Sequence, residues 1–284
     1  MSTPVPRVVL RSNQSWLQVD WRGIVQYSDL LVELVMRDFT AKYKQTLLGP
    51  MWSILSPLLT TLVFTLLFGR IIRVSPDGMP PLLFYLCSLL GWTYFANVLA
   101  ATGTSLTGNA RIFSKVYFPR LVPPLAVTIS NLVGFSIQFL FFCCAYAYYK
   151  FFTDFGPHLT VGPWILLFPV LIIHMAMIGL GVGLIISALT AKYRDLVHVT
   201  SLVVQLWMYA TPVIYPLSRI PEKWRWVSEL NPMTAVVEAL RQGFLNSGHV
   251  TPASYGVSLA TSIAVLLVGI LLYQRMARTF VDTV

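Results

Sequence analysis

Six long runs of apolar residues constrain the fold of this chain more than any other feature of its sequence. A helix that crosses the hydrocarbon core of a bilayer needs about 20 mostly apolar residues. The runs that approach or exceed this length are 51–68, 82–101, 121–148, 164–190, 197–214 and 255–273. We therefore predict an all-α membrane protein with six transmembrane helices.

The scarcity of charged residues argues against a soluble fold. Hydrophobic residues make up 56% of the chain and charged residues 11%, whereas soluble domains carry about 25% charged residues. The net charge is +9, a balance that in a soluble protein would suggest nucleic acid. Because the Lys and Arg residues lie between apolar runs, we interpret them as orienting charges at a membrane surface, and we expect no nucleic-acid partner.

The positions of the basic residues predict the orientation of the chain. With the N-terminus inside, 13 of the 20 Lys and Arg residues fall in inner segments and 7 in outer loops, where Arg241 is one of the seven. This excess predicts cytoplasmic termini. The predicted organisation is an N-terminal tail at 1–26, a transmembrane domain at 27–273 and a C-terminal tail at 274–284.

Two segments on the inner side are predicted to be helical. Between Ser28 and Lys44, leucines recur at helical spacing with charges elsewhere around the helix, which predicts an amphipathic helix on the membrane surface. A short helix is predicted in the loop 103–120, with Asn109 as its N-cap. Both could bind a partner protein or only anchor the bundle. The basic residues that would form the docking surface are Arg37, Lys42, Lys44, Arg111 and Lys115.

Two short helices are predicted on the outer side, between 215 and 254. Pro221 and Pro232 each suit the first turn of a helix, and Asn231 suits the N-cap of the second. The second helix carries an apolar stripe that includes Val237 and Phe244. We expect both helices to lie at the outer face of the bundle.

The chain lacks the motifs of energy coupling and catalysis. It contains no G-x-x-x-x-G-K-[ST] sequence and no Gly-Lys pair, so it cannot bind ATP through a P-loop. The six runs contain His174 and His198 but no Asp, Glu, Lys or Arg, which argues against an ion-driven transporter or an intramembrane protease. We predict no catalytic residue, metal site or cofactor in this chain, and we interpret its three cysteines as packing residues.

The fifth run is the most polar of the six. Thr200, Ser201 and Gln205 lie within it, and a span of mixed polarity belongs at a protein or water interface rather than in lipid. Aromatic rings nearby could stack on the apolar faces of sugar rings, or could only pack between helices and form the interfacial belt. The candidates for a substrate channel are Trp52, Phe64, Gln205, Trp207, Tyr209 and Tyr215.

Four segments resemble type-2 ABC transporter permeases that export polysaccharides. In chain order they are RDFTAKYKQTLLGPMWSILSPLL (37–59), NARIFSKVYFPRLVPPLA (109–126), YRDLVHVTSLVVQLWMYATPVIYP (193–216) and LNPMTAVVEALRQGFL (230–245). The resemblance extends from about Gln26 to Tyr273. It implies a homodimeric permease in the bacterial inner membrane that works with two copies of a cytoplasmic ABC ATPase, on which ATP and magnesium bind.

The resemblance also implies a substrate and roles for particular segments. The substrate would be an undecaprenyl-linked polysaccharide, with O-antigen expected before capsule or teichoic acid. Segments 28–44 and 103–118 would contact the ATPase, and 222–244 would close the outer exit. The implied gate residues are Glu222, Trp224, Trp226, Asn231, Pro232, Val237, Leu240 and Phe244. The alternatives are an ABC exporter of another lipid or of a drug, and an intramembrane enzyme acting on lipid-linked sugars.

Overall fold

The computed structural model describes residues 21–71, 78–113, 118–193 and 195–281, and in these ranges it consists of helices, turns and extended connections without strands. The α-helices are α1 (Trp21–Gln26), α2 (Ser28–Tyr43), α3 (Trp52–Phe64), α4 (Pro81–Gly103), α5 (Ser105–Gly108), α6 (Ala110–Phe113), α7 (Val122–Phe152), α8 (Phe168–Lys192), α9 (Leu196–Ala210), α10 (Glu222–Leu230), α11 (Pro232–Phe244) and α12 (Pro252–Val281). After α3, residues Thr65–Ile71 continue in π-helical geometry. The predicted helical class is confirmed.

Within the described ranges, five helical stretches are long and apolar enough to cross a membrane. They are Gly49–Gly69, Pro81–Gly103, Val122–Phe152, Pro163–Lys192 and Pro252–Arg278. Each overlaps one of the six predicted runs. The remaining run, 197–214, corresponds to the shorter apolar helix α9.

Helix α9 ends earlier than the sequence pattern predicts. The run was expected to continue to residue 214, but the backbone leaves the helix at Thr211, which has extended angles of φ −101° and ψ 140°. Thr211 precedes Pro212, and the residue before a proline is driven away from helical angles. The 15 residues of α9 span about 22 Å, which is shorter than a hydrocarbon core of about 30 Å.

Helix α4 forms the centre of the bundle. It packs against α3, α7, α8, α9 and α11. In its most apolar stretch 78% of the residues are buried, against 17% for the first span. A helix that is apolar on every side must be covered on every side, and α4 satisfies this condition.

Glycines allow the long helices to approach closely. A Cβ atom at Gly183 of α8 would stand 2.6 Å from the Cβ of Thr102 in α4, and one at Gly269 of α12 would collide with the carbonyl of Gly181. Small residues at such crossings let helix backbones pack in a membrane. The α4–α8 contact is reinforced by Thr190, whose hydroxyl donates to the carbonyl of Gly103 at 3.0 Å.

The short helices lie at the two ends of the bundle. Helix α2 packs on the first turns of α7, where Leu34 joins a small apolar cluster with Phe118, Val122 and Ala126. We name this side the α2 end. The pair α10–α11 lies at the opposite side, named the α11 end. The predicted helices after Ser28, Pro221 and Pro232 are confirmed.

The loop between α4 and α7 differs from its prediction. One short helix was expected to begin after Asn109, but two single turns, α5 and α6, flank this residue. The carbonyl of Asn109 accepts from the backbone N–H groups of Ile112 and Phe113, as expected for a residue that precedes a helix. Residues 114–117 of the predicted segment lie outside the described part of the chain.

Candidate functional site

The two predicted docking segments meet at the α2 end. The guanidinium of Arg37 pairs with the neighbouring Asp38 at 2.7 Å and donates to the side-chain oxygen of Asn109 at 3.2 Å. Arg37 keeps 42% of its side chain exposed. This hydrogen bond joins α2 to the α5–α6 turn, so the two segments form one surface.

The other predicted docking residues differ in their placement. Lys44 is exposed at the end of α2. The ammonium of Lys42 instead faces α7, where it donates to the side-chain oxygen of Asn131 at 3.2 Å. Arg111 lies in α6, but its side chain and the whole of Lys115 fall outside what the structure describes.

A stripe of exposed polar residues runs along α9. His198, Ser201, Gln205 and Tyr209 follow one another at spacings of three, four and four residues, which places them on one face of the helix. All four are exposed, and Tyr209 is 50% exposed. We name these four residues the α9 stripe. Thr200, which the sequence also suggested, is buried and bonds to its own helix.

Trp207 points away from the α9 stripe. Its ring packs edge-on against Phe95 of α4, with centroids 5.1 Å apart, and its indole N–H donates to the side-chain oxygen of Asn231 at 2.9 Å. The ring therefore joins α9, α4 and the start of α11. These contacts match the alternative that some of the aromatic residues pack between helices.

The remaining channel candidates lie in three different places. Tyr215 is half-buried and donates its hydroxyl to the carbonyl of Tyr209 at 3.0 Å, so it lies beside one end of the α9 stripe. Trp52 is 47% exposed and borders a cavity between α3, α4 and α7. Phe64 is buried against Phe68 and Tyr85.

Asn231 holds the turn between α10 and α11. Its side-chain oxygen accepts from the backbone N–H of Met233, which confirms the predicted N-cap, and also accepts from Trp207. Its amide group donates to the hydroxyl of Thr211 at 2.8 Å. One side chain thus satisfies polar groups on α9, on the segment after it and on α11.

The predicted gate residues divide between the surface and the core. Glu222, Trp224 and Trp226 are exposed on α10, with the two tryptophans 56% and 60% exposed. The residues from α11 are buried: Pro232, Val237, Leu240 and Phe244. Phe244 packs against the rings of Phe139, Phe142 and Phe168. Helix α11 therefore lies inside the protomer rather than on its surface.

Sequence reasoning missed a buried ion pair on α11. Arg241 was counted among the charges of the outer loops, but its side chain is 0% exposed and pairs with Glu238 at 2.8 Å. The guanidinium also donates to Ser88 in α4 and to the carbonyl of Val213, and it stacks 3.8 Å from the ring centre of Phe84. The spacing of three residues within an otherwise apolar helix was the available signal.

Glu238 extends this network beyond α11. One carboxylate oxygen accepts from Arg241, and the other accepts from the backbone N–H of His249 at 2.9 Å. The pair thereby joins α4, α11, the segment before α10 and the segment after α11. Among the residues that the structure describes, no group of three or more His, Cys, Asp or Glu could hold a metal ion.

Comparison with known proteins gives a consistent result. The sequence model of the family described as ABC-2 type transporter matches residues 29–245. An O-antigen export system permease protein RfbA from Klebsiella pneumoniae is 29% identical over 254 residues, which cover 89% of this chain and 94% of that protein. RfbA from Myxococcus xanthus is 30% identical over 253 residues, 87% and 91% of the two chains. The polysialic acid transport protein KpsM of Escherichia coli is 24% identical over 251 residues, 85% and 91% of the two.

Proposed function

This chain belongs to the ABC-2 type transporter family, and we propose that it is the permease of an exporter that moves lipid-linked O-antigen across the bacterial inner membrane. The chain is a transport permease and not an enzyme. We propose that two copies assemble with two copies of a separate ABC ATPase. ATP and magnesium would bind to that ATPase, because this chain has no P-loop.

The names of the relatives support a polysaccharide substrate. The two relatives at 29% and 30% identity are O-antigen export permeases. The relative named for polysialic acid is 24% identical. All three align over at least 85% of this chain. O-antigen is therefore the substrate we propose.

The α9 stripe is the single structural observation that supports a substrate channel. Polar groups that face hydrocarbon are costly, so a polar face of a membrane helix belongs against water or protein. In the protomer the stripe is uncovered. We propose that it faces a water-filled channel at the contact with a second copy, where Tyr209 offers a ring to passing sugars and Gln205 offers hydrogen bonds.

The ATPase is proposed to dock at the α2 end. This surface contains Arg37, Lys44 and the α5–α6 turn, and the hydrogen bond between Arg37 and Asn109 makes the surface continuous. Arg111 and Lys115 complete the proposed docking set. The α2 end and both termini would then be cytoplasmic, and the exposed α10 with Glu222 would lie outside.

Deletion of the gene tests the proposal. Surface labelling of the mutant should find no O-antigen, while lipid-linked polymer accumulates inside the cell. Expression of the chain from a plasmid should restore the surface polymer. Loss of capsule with normal O-antigen would reassign the substrate. Normal surface levels of both would contradict polysaccharide export.

A further inference from the structure

A cavity of about 370 Å³, lined by both polar and apolar residues, lies between the end of α2 and helices α3, α4 and α7. Sites for small molecules have volumes of roughly 300–1,000 Å³, so this space suits a lipid headgroup. It is bordered on the apolar side by Leu89 and Phe135 and at its rim by Trp52. It lies within one protomer and is separate from the α9 stripe.

Three membrane helices turn polar side chains into this cavity. From α3 come Ser53, Ser56 and Thr60, at spacings of three and four residues that place them on one face. From the facing helices come Thr93, Asn97, Asn131 and Gln138. Polar groups at membrane depth usually serve a pathway or a bound group, because hydrocarbon cannot solvate them.

Gln138 has an unsatisfied donor at this site. The residue is 3% exposed, and its amide nitrogen has no hydrogen-bond partner. A buried donor without an acceptor costs free energy that a ligand oxygen would recover. An acceptor such as a phosphate or hydroxyl oxygen would satisfy this donor.

Of the described residues that line the cavity, Lys42 is the only cation and none is a carboxylate. Its ammonium bonds to the neutral Asn131 and lies near Gly134 of α7, where the hydroxyls of Tyr43 and Ser53 also approach. Although much of the Lys42 side chain is exposed, partial burial of its ammonium lowers the pKa of this group. A partly desolvated ammonium without a counter-ion favours an anionic ligand.

The exposed face of α3 continues from this cavity. Val63 of α3 lies one turn beyond Thr60 and is 48% exposed, and Leu59 of α3 is 52% exposed. In the π-helical segment that follows α3, Leu66 and Leu67 are 51% and 43% exposed and extend this apolar surface. Trp52 borders this face at the cavity mouth. A ligand with its head in the cavity could lay a hydrocarbon tail along α3.

We propose that this cavity binds a membrane lipid whose headgroup carries a phosphate and hydroxyl groups. Lys42 contacts the phosphate, Gln138 donates to a phosphate or hydroxyl oxygen, and Asn131 and the α3 hydroxyls bind the rest of the headgroup. The tail lies on the apolar face of α3. A phospholipid and a polyprenyl diphosphate sugar share this chemistry, so the site does not depend on the identity of the exported polymer.

Native mass spectrometry of the purified full chain tests this site, because each bound lipid adds a known mass. The probes are phosphatidylglycerol, phosphatidylcholine, a polyprenyl diphosphate sugar and inorganic phosphate. Wild type should retain phosphatidylglycerol over phosphatidylcholine, which has a cationic headgroup without hydroxyls. Lys42→Gln should weaken this retention about tenfold, since charge-assisted hydrogen bonds are roughly that strong. Lys192→Gln, which removes an exposed charge outside the cavity at the same end, is the matched control.

A second variant guards against loss of fold. Asn131→Asp keeps the shape of the side chain and gives Lys42 an internal anion 3.2 Å away. It loses the hydrogen bond that the Asn131 amide donates to the carbonyl of Val127 at 2.9 Å, and the new ion pair with Lys42 offsets this loss. The variant should therefore lower lipid retention at a thermal stability close to that of wild type. If the polyprenyl probe displaces phosphatidylglycerol, the lipid is the carrier of an exported chain; if it does not, the lipid is a phospholipid. Equal retention of the two phospholipids, unchanged retention in Lys42→Gln, or displacement by inorganic phosphate would overturn the proposal.

Discussion

The guanidinium of Arg241 and the carboxylate of Glu238 form an ion pair at 2.8 Å, with 0% and 2% of their side chains exposed. Both groups use further hydrogen bonds to Ser88, Val213 and His249. Charges that leave water need such bonds to offset the lost hydration. The pair therefore anchors α11, for which the family resemblance implies a role in the outer gate, to the central helix α4.

Removal of one member of this pair should destabilise the protein strongly. Glu238→Gln leaves the buried cation of Arg241 without its counter-ion, and such changes cost about 3–5 kcal/mol. The double variant Glu238→Gln/Arg241→Met removes the uncompensated charge and should recover part of this loss. Thermal unfolding of the purified proteins measures both effects. A single variant as stable as wild type would contradict the anchoring role.

Substitution of Asn231, which lies between α10 and α11, should destabilise the protein. Asn231→Ala removes a helix cap, a loss of about 1 kcal/mol, and leaves the indole N–H of Trp207 without its acceptor, a further cost of about 1–3 kcal/mol. The abundance of folded protein in the membrane should fall. Asn246→Gly is the control, because its side chain is exposed and bonds to Thr160 at the surface, and glycine tolerates the φ of 52° at this position. Equal abundance of the two variants would disprove this assignment.

The α9 stripe should affect export without affecting folding. Gln205→Ala and Tyr209→Ala are expected to reduce surface O-antigen at normal protein abundance, with a stacking loss near 1 kcal/mol for the ring. Leu206→Ala is the matched control, since this exposed residue lies on a different face of α9. The measurement is surface polymer divided by permease abundance. The channel assignment fails if this ratio stays constant in both stripe variants.

Trp207 should show the opposite behaviour. Trp207→Ala removes the contacts with Phe95 and Asn231 and opens a cavity, and large aromatic truncations cost about 3–5 kcal/mol. We expect low abundance of the folded permease, with export falling in proportion. Trp207→Phe keeps an aromatic ring against Phe95 but loses the indole N–H, so its abundance should fall less than that of the alanine variant. Normal abundance of the alanine variant with reduced export would instead place Trp207 in the channel.

Charge reversal of basic residues at the α2 end should weaken binding of the ATPase. Single exposed ion pairs contribute about 0–1 kcal/mol, so the double variant Lys44→Glu/Arg111→Glu is the sharper test. A pull-down should recover less ATPase with it than with Lys192→Glu, which reverses one charge at the same end. Arg37→Glu should reduce recovery further, because Arg37 also bonds to Asn109. Full recovery with the double variant would exclude this docking surface.

Thiol labelling should establish the orientation. Asp154 and Glu222 lie at the α11 end. Cysteines that replace them should react with an impermeant reagent added outside intact cells. Cysteines at Lys44 and Lys192 lie at the α2 end and should react only after the membrane is opened. The native Cys87, Cys143 and Cys144 must first be replaced so that only the introduced thiols can react. Cys144 is exposed and would otherwise be labelled. The reverse pattern would place the termini outside.

Local signals in the sequence were sufficient for much of the fold. Apolar length predicts the spans because hydrocarbon tolerates few charges, and Asn231 followed by Pro232 predicts a helix start because a side-chain oxygen can cap a free N–H. Pro212 was a further local signal, and it ends α9 earlier than apolar length alone suggested. The four family segments likewise needed no structure to be found.

The sequence by itself thus determined the membrane class, the helix order and the family. Only the tertiary structure decided which residues face the core, the lipid or a cavity. When a helix is apolar around its whole circumference, its pattern does not indicate its rotation. Neighbours from distant segments decide that the side chain of Trp207 packs inside the protomer, that Gln205 is exposed and that Lys42 faces α7. Arg241 is buried where α11 packs on α4, and there it donates to Ser88, 153 residues away in the sequence. No local pattern indicates a contact between residues so far apart.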